Sequence, residues 1–242
     1  MKIDFNSDLA EGVGVESLIM PHISSANICC GLHAGGYDHI YKTLLLAKEH
    51  NVRVGAHPGF DDRANFGRTN MNLSENEIDA LLSYQFGALE KICDLVGVKI
   101  EYVKPHGALY NMACVDINLA RCIAKNVKKL GVALMGLSNS CLIKAANELN
   151  IPSISEVFAD RRYTDDGLLV SRGKENALIK DENEAIEQVI SMVKNSFVIS
   201  ENGKKVDINA QSLCIHGDGE KAIEFAKKIR EKLQTENIQI RS

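Results

Sequence analysis

The chain has 242 residues, a net charge of −4, 45% hydrophobic and 25% charged residues. That length suits one large α/β domain better than two, and the mildly acidic balance provides no attraction to nucleic acid or to an anionic membrane surface. The first five residues, Met1 to Phe5, carry no apolar signal core, and no apolar run approaches the roughly 18 residues of a membrane span. Seven cysteines without a CxxC pair argue against a disulfide framework and a thiolate zinc site, so a cytoplasmic protein is expected.

In chain order, short β-branched or apolar runs alternate with Gly-, His- or Asp-rich corners and longer helical patterns. Strands are predicted over residues 2–6, 26–30, 52–55, 100–104, 133–136, 154–158 and 212–215. Helices are predicted over residues 40–50, 75–96, 117–130, 141–149, 182–194 and 220–234. Ser74 with Glu77 reads as a capping box, and Asp181 with Glu184 is a related start signal. Gly97 and Gly131 stand where helix C-terminal glycines belong. Seven βα-type units leave two architectures, an open doubly wound sheet or a closed barrel. An open sheet gathers its ligand groups at one switch point, whereas here nearly every strand ends in polar, reactive residues. The expected fold is therefore a (β/α) barrel of about seven parallel strands, a single domain over residues 1–242.

The corners carry the chemistry. The first strand runs into Asn6, Ser7, Asp8, Leu9, Ala10, Glu11 and Gly12, placing two carboxylates three residues apart; they suit a base with its anchor, a cation site, or ordinary exposed turn residues. His33, His57, His106 and His216 each stand at a strand-end corner within two residues of a glycine, and a barrel would bring all four to one mouth. Imidazole titrates near neutrality and ligates metals, but each ring alone could equally be a hydrogen-bonded core residue. His22, His39 and His50 lie away from these corners and receive no role. Lys104 and Arg161 can hold a carboxylate or phosphate oxygen, with a surface ion pair as the plain alternative. Residues 55–73 form a corner beyond the roughly 12–15 residues above which structureless loops are uncommon, which suggests a lid or binding loop. No GxxxxGK[ST] loop, GxGxxG turn, HExxH helix or GxSxG elbow is present.

As a set, the corners resemble the LamB/YcsF family, the A subunits of prokaryotic 5-oxoprolinase. The likeness rests on Asp8 to Gly12, Asn27 to Gly35, Gly55 to Gly59, Phe66 to Arg68, Val103 to Asn111 (VKPHGALYN), Glu156 to Arg161 (EVFADR) and His216 to Asp218, in that order along the whole chain. The resemblance implies a barrel related to glycoside hydrolase and deacetylase barrels. It also implies ATP-dependent opening of 5-oxo-L-proline to L-glutamate together with separate B and C subunits. In this scheme Asp8, Glu11, His57, Lys104, His106, Asp160 and Arg161 form the catalytic set. Asn27, His33, Arg68, Tyr110, Asn111, Glu156, His216 and Asp218 bind substrate. ATP is expected to bind with the partner subunits or at the helix start after Gly217. The alternatives are a stand-alone hydrolase or deacetylase of a carbohydrate-like substrate, with a divalent metal on Asp8 and some of His33, His57 and His106, and a non-catalytic scaffold. Three positions depart from the family pattern. Gly36 and Tyr37 replace an Asp-Pro, for which Asp38 is the nearest substitute, and Ala10 stands where the family has Gly.

Overall fold

The computed structural model describes residues 1–215 and 220–241. In chain order the elements are β1 (Lys2–Leu9), α1 (Glu16–Ile19), β2 (Ser25–Cys29), α2 (Tyr37–Glu49), β3 (Arg53–His57), α3 (Glu75–Val96), β4 (Ile100–Val103), α4 (Gly107–Val115) and α5 (Ile117–Leu130). The second half comprises β5 (Ala133–Leu137), α6 (Cys141–Glu148), β6 (Ser153–Phe158), α7 (Glu182–Asn195), β7 (Phe197–Ile199), β8 (Lys205–Asp207), β9 (Ser212–Ile215), α8 (Glu220–Thr235) and β10 (Gln239–Ile240). Strands β1 to β6 pair in sequence, all parallel, and β9 closes the ring by pairing with both β6 and β1. The result is a closed seven-stranded parallel barrel with helices around it, as expected. Strand β10 adds outside this ring, parallel to β1 at Lys2 and Ile3.

The helices form where sequence periodicity and end signals agree. In α5 the buried residues Ala120, Ile123, Ala124 and Val127 recur at helical spacing, so one apolar stripe faces the barrel. The Asp116 side chain accepts the backbone N–H groups of Asn118 and Leu119 at its start, and Gly131 ends it at φ 76°. Helix α3 begins with the predicted capping box, Ser74 and Glu77 satisfying each other's backbone donors.

Several elements differ from expectation. β1 continues to Leu9, so Asp8 is a strand residue pointing into the barrel rather than part of a turn. The Lys104–Asn111 corner is short, because α4 begins at Gly107; its nearly unbroken apolar sequence hides the helical period. The β7–β8 hairpin lies in an excursion between α7 and β9 and has too few residues to show alternation. Residues 159–181 form a second excursion, tied by Arg161–Leu178 and Tyr163–Leu169 bridges and lying over the mouth. Among the described residues no helix is long and apolar enough to cross a membrane.

The barrel interior is unusual in its polarity. Barrels of this kind are filled mainly by Val, Ile and Leu, whereas here inward positions two residues apart on β1 are Asp4, Asn6 and Asp8. At the bottom, Asp4 accepts from Ser24, Ser25, Arg53 and Ser212. One layer up, Asn6 donates to Ser212 and accepts from Asn27, whose carbonyl accepts from Tyr102 at 2.6 Å. Each buried polar atom in this column needs a partner, and the column supplies them layer by layer up to the mouth.

Candidate active site

At the top of that column stands Lys104, the residue after β4, buried with its ammonium between two carboxylates: Asp8 Oδ1 at 2.9 Å and Glu156 Oε1 at 2.7 Å. It also donates to Asn6 at 3.3 Å and lies 3.2 Å from Cys214 Sγ. Burial works against its charge, but the Asp8 and Glu156 carboxylates outweigh it and hold the ammonium well above its ordinary value. Cys214 acts there as a neutral sulfur acceptor, since burial pushes its own thiol far up. The far oxygen of Glu156 accepts the Tyr110 hydroxyl at 2.8 Å, and Asn27 donates to Asp8 at 2.7 Å.

Asp8 Oδ2 leads outward to His57 Nε2 at 3.3 Å. His57, the last residue of β3, contacts the Lys104 carbonyl through Nδ1 at 2.7 Å. His106, just before α4, contacts the Phe66 carbonyl through Nε2 at 2.8 Å. Carbonyl oxygens only accept, so Nδ1 of His57 and Nε2 of His106 both carry protons. Their other nitrogens face each other at 3.0 Å. Glu11 Oε1 lies 3.2 Å from His33 Nε2, 3.4 Å from His106 Nδ1 and 3.9 Å from His57 Nε2. The rings of His33 and His106 stack at 3.8 Å with planes 1° apart. Burial, with neighbouring histidines adding to it, lowers His33 strongly and brings His106 down to about 3, so both are neutral at physiological pH. Glu11, His33, His57 and His106 each offer one ligand atom, all within 4.8 Å of one another, a donor set that suits a divalent ion.

Local backbone builds this packing. The 55–73 segment has only a short 3-10 turn, Arg63–Asn65, and straps across the mouth. Arg63 donates to the carbonyls of Gly31, Ala34 and Gly35. Phe66 takes φ 57°, a left-handed conformation uncommon for a bulky residue, and this turns its carbonyl toward His106. Gly35 has φ 56°, and a Cβ there would sit 1.9 Å from the Ala10 carbonyl, next to Glu11. Ala10 itself is left-handed at φ 63°, which accounts for glycine in the family pattern at that place. Asp38, the nearest substitute for the missing carboxylate, lies in the first turn of α2, half exposed, 3.0 Å from His39 and 4.0 Å from Lys42, and its Oδ1 is 3.5 Å from where a Cβ at Gly36 would stand.

An inner cavity of about 50 Å³ is lined by Asp8, Glu11, His57, Lys104 and His106 on one side and Tyr110, Phe158 and Arg161 on the other. It opens into a groove of about 580 Å³ with which it shares Arg68, Asn111, Arg161, Leu169 and Arg172. Arg161 is buried, its guanidinium donating to the carbonyls of Val170 and Ala177. Burial, then Arg172, bring it down to about 10, so it remains charged. The barrel thus gathers Asp8, Glu11, His33, His57, Lys104, His106, Tyr110, Glu156 and Arg161, with Asn27 beneath and Arg68 and Asn111 at the rim. Asp160, half-buried after β6, is not one of the described residues lining the cavity and acts on Arg161 through its charge. His216 and Asp218 lie outside the described residues. Asn6, Phe66, Cys214 and Arg172 also stand at the site, though sequence reading assigned them no role there. Asn6 was detectable from the Asp4, Asn6, Asp8 alternation, while the other three are placed by long-range packing.

The chain matches the LamB/YcsF family model over residues 3–242. It is 51% identical to the A subunit of 5-oxoprolinase from Histophilus somni (strain 129Pt), over 100% of this chain and 98% of that protein. A crystal structure of a lactam utilization protein from Thermus thermophilus superposes with a TM-score of 0.92 at 38% identity, covering 100% of this chain and 99% of that one. A family 4 carbohydrate esterase from Streptomyces lividans shares the fold at a TM-score of 0.52 and 10% identity, covering 99% and 91%.

Proposed function

This chain belongs to the LamB/YcsF family, and from that premise we propose that it is the A subunit of an ATP-dependent 5-oxoprolinase, opening 5-oxo-L-proline to L-glutamate with B and C subunits. The observation that carries the reading is the full-length match, at about half of all positions, to proteins named for that role. The cavity suits the substrate. With about 50 Å³ inside and a wider groove outside, a five-membered lactam would straddle the two. Its carbonyl would enter toward Lys104 and the histidines, and its carboxylate would meet Arg161, with Arg68 and Arg172 at the rim.

A lactam is a resonance-stabilised amide, and phosphoryl transfer from ATP to its oxygen makes the carbon a better electrophile and releases ADP. Water then adds at carbon, the ring C–N bond breaks as nitrogen gains a proton, and a second water hydrolyses the resulting acyl phosphate to glutamate and phosphate. In this scheme Asp8 or Glu11 takes the proton of the attacking water, with His57 and His106 orienting it. Lys104, fixed between Asp8 and Glu156, directs positive charge at the developing oxyanion. Since the sequence has no phosphate-loop motif, ATP is assigned to a site completed by the partner subunits.

The test is reconstitution: the full chain, candidate B and C subunits, ATP and 5-oxoproline, with glutamate and ADP measured as each component is omitted. Glutamate should appear only in the complete mixture. Lys104→Ala or His106→Ala should lower turnover by at least ~100-fold while far-UV circular dichroism stays unchanged. Unaltered turnover in either variant removes that residue from the mechanism. Release of acetate from an N-acetylated sugar without partners or ATP would replace this reading with the stand-alone deacetylase.

A further inference from the structure

The geometry points to a divalent transition-metal centre on Glu11, His57 and His106, with His33 supporting rather than ligating. The inference does not depend on the oxoprolinase reading, because it concerns only what the cluster holds.

The first ground is the orientation of the two histidines. Backbone carbonyls take the proton-bearing nitrogen of each ring, Lys104 O from His57 and Phe66 O from His106. What remains is a pair of nitrogens opposed at 3.0 Å; Glu11 Oε1 lies 3.4 Å from that of His106 and 3.9 Å from that of His57, and Asp8 Oδ2 lies 3.3 Å from that of His57. A shared proton would join two of these atoms. A cation joins both nitrogens and the Glu11 carboxylate at once.

The second ground is the spacing. Donors about 2.1 Å from one ion stand about 3.0 Å apart as octahedral neighbours and about 3.4 Å apart on a tetrahedron. Two of the three separations meet these values, and the third is wider by about half an ångström, which a single χ adjustment of Glu11 can close. Ring nitrogens whose far side is held by a main-chain carbonyl are the usual arrangement of metal-bound histidine, because that contact fixes tautomer and ring direction.

The third ground separates His33 from the ligands. An imidazole binds an ion in its own ring plane, and the His33 and His106 planes are parallel and stacked, so the two cannot direct in-plane lone pairs at one ion. His57 is perpendicular to both, at 87°, and it shares an ion with His106 without conflict. His33 Nε2, at 3.2 Å from Glu11 Oε1, donates to that carboxylate and sets its direction. Glu11, His57 and His106 line the cavity, so an ion on them has a path of entry and coordination positions open toward the groove. The N,N,O donor set selects a borderline ion such as Zn²⁺, Mn²⁺, Fe²⁺ or Co²⁺ over Ca²⁺ or Mg²⁺.

The full-length chain, purified without chelator, should contain close to one equivalent of such a metal by elemental analysis. Chelator-treated chain titrated with Co²⁺ should develop visible d–d absorption saturating at one equivalent, and its melting temperature should rise. His57→Gln and His106→Gln should lose the absorption band, with metal-free melting curves showing that both variants are folded. His33→Gln should keep the band and the 1:1 endpoint while binding Co²⁺ about 10- to 100-fold more weakly. Absence of bound metal, of the cobalt band and of any melting shift in the wild-type chain would overturn the site. Loss of the band in His33→Gln as complete as in His106→Gln would overturn the three-ligand assignment.

Discussion

Lys104 and Arg161 show how one kind of charge is held in two different ways in the same cavity. The Lys104 ammonium is neutralised by Asp8 and Glu156 at 2.9 and 2.7 Å. Removing it would leave two buried carboxylates facing each other, a loss of about 3–5 kcal/mol for breaking a buried pair. Arg161 is instead gripped by main-chain carbonyls of the excursion that covers the mouth. It lines the cavity, where Asp160 acts on it through charge, and under the proposed function it meets the substrate carboxylate. Arg161→Lys keeps the charge but loses the fork that reaches Val170 and Ala177. In the reconstituted enzyme this variant should raise KM for 5-oxoproline by about 10-fold or more while kcat changes less, because one charge-assisted contact contributes roughly 1.5–3 kcal/mol. An unchanged KM would show that the carboxylate sits elsewhere.

The elements that matter most for the site are the connections. The strap from residue 55 to residue 73 supplies the carbonyl that orients His106 and packs Phe66 edge-on to both His33 and His106. The β1–α1 and β2–α2 corners touch where Gly35 meets the Ala10 carbonyl. A methyl group at residue 35 would collide with that carbonyl and would also require a left-handed backbone of a residue with Cβ, so the corner carrying Glu11 would have to move. Gly35→Ala should destabilise the chain by roughly 2–4 kcal/mol, read from urea unfolding. Its far-UV signal should persist, since the barrel strands are not involved. By contrast Ser74→Ala, which removes only the α3 capping box on the outer surface, should cost about 1 kcal/mol and leave turnover unchanged.

For the molecule as a whole, burying neutral histidines couples folding to pH. In the unfolded chain His33 and His106 take up protons near pH 6.5; in the folded chain burial keeps both neutral well below that, His106 down to about 3. Between these limits the unfolded state binds more protons, so stability rises with pH and is lost as pH falls below 6.5. Each group contributes up to about 1.4 kcal/mol per pH unit in that window. Chemical denaturation of chelator-treated chain at about pH 7.5 and about pH 5 should show this loss, and His106→Gln should reduce its slope. Equal stability at the two pH values would contradict the buried neutral rings.

Seven strands, their order and most helices were legible in the sequence because they depend on local periodicity and end signals, as in α3 and α5, whose bounds match the prediction. So was the identity of nearly every side chain at the mouth, since a parallel barrel delivers the ends of all its strands to one rim. Which of those side chains touch was not legible. That Lys104 bridges Asp8 and Glu156, that His33 lies flat on His106, and that a strained Phe66 directs His106 follow from contacts between residues far apart in the chain. Such contacts are set by how strands pair and loops pack, and no pattern within one short window encodes them. Tertiary structure alone turned a list of reactive residues into one lysine locked between acids, one arginine held by main-chain carbonyls at the cavity wall, and two imidazoles aimed at a common point.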